Sequence, residues 1–395
     1  MDMKTDNTAI TPLLSPLPDA FLEFLRENDL DMSIYAAVDA TPRYIRLKPG
    51  CESQLMEFEA DLNCKLEKVN WLPGFFSIPP HTQIASTKAY QLGKIYGIDA
   101  ASGAAVMALN VTLGDHVLDL CAAPGAKLCM LADLLGNSGS ITGVDIARHR
   151  LAACRNMLQK YAIGDRCRLF VADGTTFSLL PPRSDARNDN DIDDTLHEWT
   201  SKRTWKDRKN AAKQKSATSD YSLSETAEHD LIFYGRHSGV IGMHKNDLFR
   251  RVDDTEYSSF GFDKVLVDAE CTHDGSIKHI QKFEYWGWST FQNRFLHVKR
   301  IENLTSLQLA LLSNGFRLLK VGGFLVYSTC SLTVSQNENV VQEFLSKNPS
   351  ADLIPVDGAN KWCCKNGRIP NTLRFDPKTS QTSGLFIAKF TKLAI

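Results

Sequence analysis

The stretch Val117-Leu-Asp-Leu-Cys-Ala-Ala-Pro-Gly-Ala-Lys127 decides the predicted fold of this chain. An apolar run from Val117 to Leu120 leads into small residues and then into Pro124 and Gly125. Apolar residues at helical spacing follow directly, at Leu128, Met130, Leu131, Leu134 and Leu135. A strand, a tight turn and a helix in this order bring backbone amides close to a nucleotide-like ligand.

The residues of this turn favour one of two kinds of nucleotide-like ligand. A dinucleotide requires the glycines of a G-x-G-x-x-G motif, which this stretch does not have. A ligand without phosphates, with an adenosine and a charged amino-acid tail, fits better, and S-adenosylmethionine is such a ligand. On this stretch alone, an ordinary strand–helix unit without a ligand remains the alternative.

The composition is that of a soluble globular protein, and 395 residues are enough for two or three domains. The net charge of -1 requires any nucleic-acid surface to be a local basic patch. Because no apolar run reaches membrane-spanning length and the first residues are acidic, we expect neither a membrane segment nor a transit peptide.

Ten cysteines are scattered along the chain without C-x-x-C spacing, and the adjacent Cys363 and Cys364 are poorly placed to bind one metal. We therefore expect no metal and no disulfide framework. Reduced thiols are typical of a cytoplasmic or nuclear protein, the nucleolus included. We also expect a monomer.

Residues 1–95 predict a small α/β N-terminal domain. Its expected elements are helices at Pro18–Leu25 and Ser53–Leu66, a strand at Arg43–Leu47 and extended chain at Trp71–Ile78.

Residues 96–395 predict a Rossmann-like domain with a mostly parallel sheet, because continuous apolar strands alternate with amphipathic helices. The strand candidates are His116–Leu120, Ser140–Ile146, Cys167–Ala172, Phe262–Asp268, Gly323–Thr329 and a late strand at Ser383–Phe390. The helix candidates include Ala147–Tyr161, Asn303–Leu319 and Glu338–Leu345.

A polar segment, residues 183–257, interrupts this pattern and contains a basic block from Lys202 to Lys215. Few apolar side chains there could offset the entropy cost of ordering, so we expect a largely disordered insertion. A short strand pair at Leu231–Tyr234 and Val240–Met243 is compatible with its sequence. The basic block is either part of a solvated surface loop or a nuclear-import or RNA-holding segment.

Four acidic residues lie where predicted strands end: Asp119, Asp145, Asp173 and Asp268. Ligands of open α/β sheets bind outside the carboxyl ends of the strands, so the four should converge on one crevice. There, Asp145 could bind ribose hydroxyls and Asp173 the adenine amino group. A single strand-end aspartate is often only a helix cap.

Two cysteines end neighbouring predicted strands, Cys271 in Asp268-Ala-Glu-Cys271 and Cys330 in Tyr327–Ser331. A helix predicted after Cys330 could lower the pKa of its thiol from about 8.5 towards 7 or below. An activated thiolate is a strong nucleophile. Either cysteine alone would more simply be a small buried hydrophobe.

These motifs together resemble the Nop/Sun (RsmB-like) family of S-adenosylmethionine-dependent RNA cytosine-5 methyltransferases. The resemblance runs from about residue 96 to residue 390, apart from the insertion. It is carried by Asp119–Lys127, Val144-Asp145, Ala172-Asp173-Gly174, Asp268–Cys271 and Ser328-Thr-Cys-Ser331, with Leu307-Gln308 and Asn337-Glu-Asn339 beside them.

The resemblance implies an enzyme that methylates C5 of cytosine in tRNA or rRNA, with an RNA-contacting N-terminal domain. Cys330 would add to C6, Asp268 would bind the N3/N4 edge, and Cys271 would assist product release. Lys127 would orient Asp268 or the reacting groups. The residues expected to hold S-adenosylmethionine are Cys121, Ala122, Ala123, Pro124, Gly125, Ala126, Lys127, Asp145, Asp173 and Asp268. Cys121 is expected to contribute its backbone rather than a third catalytic thiol.

The segment from Lys278 to Arg300 interleaves basic residues with aromatic ones. Aromatic stacking beside a basic surface suits single-stranded RNA. A helix whose aromatic side chains are simply packed in the core explains the pattern equally well.

The chain departs from the family pattern at Glu270, where proline is usual, at His273, where glycine is usual, and at Lys378, where histidine is common. A carboxylate at Glu270 is expected to raise the pKa of a nearby thiol. The departures motivate an alternative hypothesis, a non-catalytic RNA-binding or scaffold protein that retains the fold. A small-molecule or protein methyltransferase would explain neither the paired thiols nor Asp268.

Overall fold

The computed structural model of the chain describes residues 17–35, 41–182, 229–241, 243, 245–249, 256, 259–292, 296 and 298–394. Within these residues, two sheets are formed. No described helix has the length and apolarity needed to cross a membrane.

The first sheet has four antiparallel strands in the order β2-β3-β1-β4. Helix α2 covers it by packing Phe58 and Leu62 against Ile45 and Leu47 of β1. The predicted strand at 43–47 and the helices near 19 and 55 are present. The elements of this part are α1 (Asp19–Glu27), β1 (Arg43–Leu47), α2 (Leu55–Leu62), β2 (Glu67–Lys68), β3 (Phe75–Ile78), α3 (Lys88–Gln91) and β4 (Ile95–Gly97).

The predicted division into domains at residues 95 and 96 falls within β4 and stays a prediction. Helix α1 does not pack on the first sheet. Its Phe21 lies 4.9 Å from Phe291 between ring centroids, and Tyr35 donates a hydrogen bond to the carbonyl of Asp274 at 2.7 Å. The N-terminal residues therefore support the loop that follows β9.

The second sheet has the order β12-β13-β14-β10-β9-β5-β6-β7-β8, and β11 pairs with β14. Strands β10, β9, β5, β6 and β7 run parallel, and the strands on both sides of them are antiparallel. The strands are β5 (His116–Asp119), β6 (Ser140–Asp145), β7 (Cys167–Val171), β8 (Asp230–Tyr234), β9 (Phe262–Asp268), β10 (Leu319–Thr329), β11 (Ala351–Ile354), β12 (Lys365–Asn366), β13 (Thr372–Phe375) and β14 (Leu385–Lys392).

Helices cover both faces of this sheet, as expected for buried parallel strands. Val117 of β5 packs into one core with Leu128, whereas its neighbour Leu118 packs into the opposite core with Leu311. The helices are α4 (Ala100–Ala108), α5 (Ala126–Leu135), α6 (Arg148–Lys160), α7 (Lys245–Leu248), α8 (Ile277–Gln281), α9 (Phe283–Trp286), α10 (Trp288–Phe291), α11 (Val298–Leu318), α12 (Glu338–Lys347) and α13 (Pro377–Ser380).

The predicted α/β class with a mostly parallel, Rossmann-like arrangement is confirmed, and the parallel strands form the centre of the sheet. The strand predicted at Leu231–Tyr234 in the insertion is present, but the prediction of a partner strand at Val240–Met243 was wrong for the residues described there. Residues 230–234 form β8, which pairs antiparallel with β7, while the described residues near 240 form a turn. Most of the 183–257 insertion lies outside the described residues, so its disorder stays a prediction.

The basic and aromatic segment after Lys278 has both buried and exposed aromatic side chains. Phe283 and Phe291 are buried against α1, in agreement with a packed aromatic core. Trp286 is 54% exposed, and the Lys282 ammonium lies 5.8 Å from the centroid of its ring system.

Candidate active site

The turn between β5 and α5 depends on Gly125. Its φ of 113° lies in the left-handed region that favours glycine, and an added Cβ would lie 3.1 Å from Cα of Cys154. No described side chain caps the first turn of α5. The amides of that turn are therefore available to an anionic group of a ligand.

Residues of the next strand and helix hold this turn in place. The Asp145 carboxylate accepts hydrogen bonds from the amides of Ala123 (3.2 Å) and Ala147 (2.9 Å). The guanidinium of Arg150 donates to the carbonyl of Ala123 at 2.9 Å. Sequence reasoning identified Asp145 but missed Arg150, because a basic residue on an amphipathic helix ordinarily indicates only a solvated face.

Asp119 is almost fully buried at the carboxyl end of β5. Its Oδ1 has no hydrogen-bond partner among the described residues. Burial, followed by the negative charge of Asp268, raises the pKa of Asp119 to about 7. A buried carboxyl group of this kind would be stabilised in its charged form by a cationic ligand.

Asp173 lies at the end of the third parallel strand, as predicted, but it is exposed. Its Oδ1 accepts hydrogen bonds from the amide (2.8 Å) and hydroxyl (2.7 Å) of Thr175, so it closes a local turn. Its predicted role towards an adenine stays a prediction.

Lys127 and Asp268 form an ion pair at the carboxyl ends of β5 and β9. The Lys127 ammonium lies 2.7 Å from Oδ2 of Asp268, and the Ser328 hydroxyl donates to Oδ1 at 2.8 Å. Burial alone would lower the pKa of Lys127, but the Asp268 carboxylate holds it above its ordinary value. The structure thus brings together two residues that the family resemblance had linked.

The two predicted thiols also meet. Sγ of Cys271 lies 3.2 Å from Sγ of Cys330, and both cysteines are free. Cys271 is 1% exposed, whereas Cys330 is partly exposed. Of the two, Cys330 is therefore the thiol that a substrate can reach.

His273 adjoins both thiols. Its Nδ1 lies 2.9 Å from Sγ of Cys330 and 3.7 Å from Sγ of Cys271. The three atoms are close enough to bind one ion, so the predicted absence of a metal stays a prediction. Sequence reasoning noted His273 only as a departure, although its proximity to Cys271 in the sequence was an available signal.

Cys271 and Cys330 are close enough that the ionisation of one thiol changes the pKa of the other. Burial opposes the first ionisation, but the hydrogen bond with Cys330 and the charge of His273 hold the pKa of Cys271 well below its ordinary value. With Cys271 ionised, its hydrogen bond and then burial raise the pKa of Cys330. The pair therefore loses one proton readily and a second with difficulty.

Two sequence-based expectations about the thiols were wrong. Glu270 was expected to raise the pKa of Cys271, but the Glu270 side chain is exposed and the pKa of Cys271 is lowered. The helix after Cys330 was expected to lower the pKa of that thiol. That helix, α12, begins only at Glu338, and the pKa of Cys330 is raised by Cys271.

A buried polar network fixes the loop after β9. The amide of Thr272 donates to Oε1 of Gln336 at 3.1 Å, and Asp274 accepts from the amide of Leu332 at 2.7 Å. Gln308 donates to the carbonyl of Glu270 at 2.8 Å. Sequence reasoning missed the roles of these residues because a buried polar partner leaves no periodic pattern. The network makes the loop rigid where the thiols meet.

The remaining predicted site residues differ in how far they are exposed to solvent. Ala122, Ala123 and Gly125 are buried, Cys121 and Ala126 are partly exposed, and Pro124 is exposed. Burial, followed by the charge of Asp119, raises the pKa of Cys121 well above its ordinary value. This agrees with a backbone role for Cys121 rather than a nucleophilic one. Lys378 forms an exposed ion pair with Asp31 at 2.7 Å.

Comparison with known proteins adds independent findings. A sequence profile described as 16S rRNA methyltransferase RsmB/F matches residues 106–186 and 241–391. Ribosomal RNA small subunit methyltransferase F of Photobacterium profundum is 25% identical over 401 residues, which cover 96% of this chain and 64% of that protein. The tRNA (cytosine(49)-C(5))-methyltransferase of Pyrococcus abyssi is 25% identical over 393 residues, covering 94% and 98% of the two chains.

The solved structure of NSun6 from Pyrococcus horikoshii with SFG has a TM-score of 0.62 at 15% identity, over 96% of this chain and 99% of that one. This likeness establishes the fold. The chain spans 53–64% of the length of curated relatives from Photobacterium profundum, Arabidopsis thaliana and Mus musculus.

The family profile covers more than half of the chain, and its two matched segments contain every strand-end motif described above. The resemblance seen in the sequence is thereby confirmed. The chain belongs to the RsmB/F, or Nop/Sun, family of RNA methyltransferases.

Proposed function

We propose that this protein is an RNA cytosine-5 methyltransferase that uses S-adenosylmethionine and acts on tRNA or rRNA. The observation that carries the proposal is the thiol pair, with Sγ atoms 3.2 Å apart, at the same sheet edge as the Lys127–Asp268 ion pair. The names of relatives that methylate C5 of cytosine in tRNA and rRNA support it.

A thiol is useful here because C5 of cytosine is too weak a nucleophile to attack a methyl group on its own. The Cys330 thiolate forms a bond to C6, and the electrons of the C5–C6 double bond make C5 nucleophilic. C5 would then take the methyl group as the methyl–sulfonium bond of the donor breaks, with a neutral thioether as the leaving group. Loss of the C5 proton and cleavage of the sulfur–C6 bond restore the ring and release the Cys330 thiolate.

The different exposure of the thiols supports different roles. Cys330, the more accessible one, is the nucleophile, and the buried Cys271 assists release, as a general base or by freeing the adduct. Asp268 accepts hydrogen bonds from the N3/N4 edge, where the adduct gains positive character, and Lys127 fixes its orientation. The target base must leave its stack to reach these groups.

The residues at the β5–α5 turn fit S-adenosylmethionine, which supplies an electrophilic methyl group when bound. The ligand is cationic, and the buried, unpaired Oδ1 of Asp119 is a place where positive charge is stabilising. Residues 121–127 would hold its methionine end, with Asp145 and Asp173 towards its nucleoside and Asp268 near the reacting groups. The relative crystallised with SFG, an analogue of S-adenosylmethionine, supports this choice.

The pKa of Asp119 predicts pH-dependent binding of the cofactor. Below pH 7 the carboxyl group is protonated and its attraction for a cation is lost, so the dissociation constant should fall by about tenfold between pH 6 and pH 8. Titration calorimetry with S-adenosylmethionine measures this. Asp119→Asn, which stays neutral, should bind weakly at both pH values, and a pH-independent wild-type affinity would refute the role of Asp119.

Removing the charge of Asp268 should slow methyl transfer. Asp268→Asn keeps an acceptor oxygen but leaves the largely buried Lys127 without its ion-pair partner. We expect kcat/KM for RNA to fall by about 10²–10³-fold, as for loss of one preorganised electrostatic group. Single-turnover kinetics measures this, and Lys389→Met, a buried lysine of β14 outside the site, is the matched control. Wild-type kinetics in Asp268→Asn would count against its role.

We further propose a division of roles along the chain. Residues 1–95 would contact RNA and residues 96–395 would carry out the reaction, with the 183–257 segment as an insertion. The exposed Trp286 beside Lys282 offers a surface on which an RNA base could stack. We propose a monomer without a metal, acting in the cytoplasm or the nucleus, the nucleolus included.

The alternative is a scaffold protein that binds RNA without catalysis, motivated by Glu270 and His273. The test incubates the protein with labelled S-adenosylmethionine and total RNA lacking its modification, and calorimetry is run in parallel. Cofactor binding and labelled 5-methylcytosine in RNA support the enzyme. Binding of RNA without cofactor binding at millimolar concentration supports the scaffold.

A further inference from the structure

His273 has a backbone conformation that few residues other than glycine adopt. Its φ is +56°, in the left-handed region where glycine is free and other residues are strained. Such strain persists only where the surrounding structure holds it, and it is concentrated at functional sites. The conformation directs the imidazole towards the thiol pair, with Nδ1 2.9 Å from Sγ of Cys330.

The loop on both sides of His273 is fastened to the strand end that carries Cys330. The amide of Gly275 donates to the carbonyl of Cys330 at 2.9 Å, and a Cβ on Gly275 would lie 2.6 Å from that oxygen. Asp274 is anchored by the amide of Leu332 and by Thr272. The distance between the imidazole and Cys330 is therefore set by the buried network rather than by a mobile side chain.

We propose that His273 is a catalytic residue that takes the proton of the Cys330 thiol and holds the resulting thiolate as an imidazolium–thiolate pair. This rests on the proposed function only in that Cys330 is the nucleophile. The S–H bond of Cys330 breaks, its proton moves to Nδ1 of His273, and the sulfur electron pair forms the bond to C6. When the sulfur–C6 bond is cleaved, the thiolate returns beside the imidazolium.

Several charged or titratable groups surround His273 and Cys330 and influence which of the two carries the proton. Cys271 competes with Cys330 for the single negative charge, and Asp274 and Glu270 both favour a protonated His273. On the neighbouring helix, the ring centroid of His279 lies 5.2 Å from that of His273. Asp268 opposes ionisation of Cys330, whereas its partner Lys127 offsets that charge.

The test measures thiol ionisation without RNA. The alkylation rate of Cys330 by iodoacetamide is followed from pH 5 to pH 10 by peptide mass spectrometry in chelator-treated buffer. The variants are His273→Gly, which relaxes the backbone, and His273→Asn, which tolerates the left-handed region but cannot accept a proton. His116→Gln is the matched control, because His116 lies at the amino end of β5, where its Nδ1 contacts the hydroxyl of Ser140 at 2.7 Å.

We expect both His273 variants to lose at least about tenfold in alkylation rate at pH 7 and to recover towards the wild-type rate as the pH is raised to the end of the measured range. The midpoint should shift to higher pH in both His273 variants and stay unchanged in His116→Gln. Thermal unfolding should show that His273→Gly is folded, because glycine removes the strain. Unchanged pH profiles in the folded variants would overturn the proposal.

The outcomes separate this inference from the proposed function. If wild-type protein fails to methylate RNA although His273 controls Cys330 ionisation, only the proposed function fails. If methyl transfer depends on Cys330 but neither its rate nor its acid limb changes in His273→Asn, only the role of His273 fails. If the acid limb of the pH–rate profile moves to higher pH in His273→Asn, and kcat recovers in alkaline buffer, both the proposed function and the role of His273 are supported.

Discussion

Cys330→Ala should transfer no measurable methyl group to RNA, a loss of at least about 10³-fold, the order expected when an enzyme loses its covalent nucleophile. Without the sulfur–C6 bond, C5 of cytosine stays unreactive. Cofactor binding should be unchanged, because the turn at residues 121–127 belongs to another strand end. Incorporation of labelled methyl groups into RNA measures the first effect, and calorimetry measures the second.

Cys129→Ala is the matched control for Cys330→Ala. Cys129 is buried in α5 and its pKa is raised by burial, so it has no nucleophilic role. The control should methylate RNA at close to the wild-type rate even if it is less stable. Substantial methylation by Cys330→Ala itself would refute the covalent mechanism.

Cys271→Ala should accumulate a covalent complex with RNA. On the proposed mechanism Cys330 remains able to add to C6, but the buried thiol proposed to assist release is absent. The complex should survive denaturing electrophoresis, require S-adenosylmethionine for its methylated form, and be absent from the double variant Cys271→Ala/Cys330→Ala. Multiple turnover should stop after about one equivalent of methyl transfer.

The contrary result for Cys271→Ala is normal turnover without a trapped complex. It would show that a different group completes the release step. His273 would then be the first residue to examine, because its Nδ1 is also within 3.7 Å of Sγ of Cys271.

The central fold was predictable because buried parallel strands leave continuous apolar runs in the sequence. Phe262–Asp268 was predicted to the residue, and the strands ending at Asp119 and Asp145 to within one residue. The short antiparallel strands β12 and β13 were missed. Their alternation over few residues cannot be distinguished from that of a loop.

The candidate site was predictable in its strand-end residues and not in its supporting contacts. The convergence of Asp119, Asp145 and Asp268 follows from the shared carboxyl edge of parallel strands. The pairing of Lys127 with Asp268 was expected from the family resemblance instead. The hydrogen bond from Tyr35 to Asp274 joins residues 239 positions apart, and no local pattern indicates it. The effect of His273 on the thiols was likewise hidden, because it depends on a left-handed backbone and on a loop fastened to another strand.

Glu270 illustrates how a residue type can mislead. A carboxylate next to a cysteine in sequence suggests a raised thiol pKa. In the structure its side chain is exposed, while its carbonyl oxygen accepts a hydrogen bond from Gln308. The backbone at this position thus helps to fix the loop, and the hydrogen bond with Cys330 and the charge of His273 lower the pKa of Cys271.

The most direct test of the central claim is to identify the atom to which RNA becomes attached. The Cys271→Ala complex is digested with ribonuclease and protease and analysed by tandem mass spectrometry. The account predicts a peptide that contains Cys330 and carries a cytidine residue on its sulfur. Attachment to another cysteine, or methylation of RNA at the wild-type rate with no modified peptide, would contradict it.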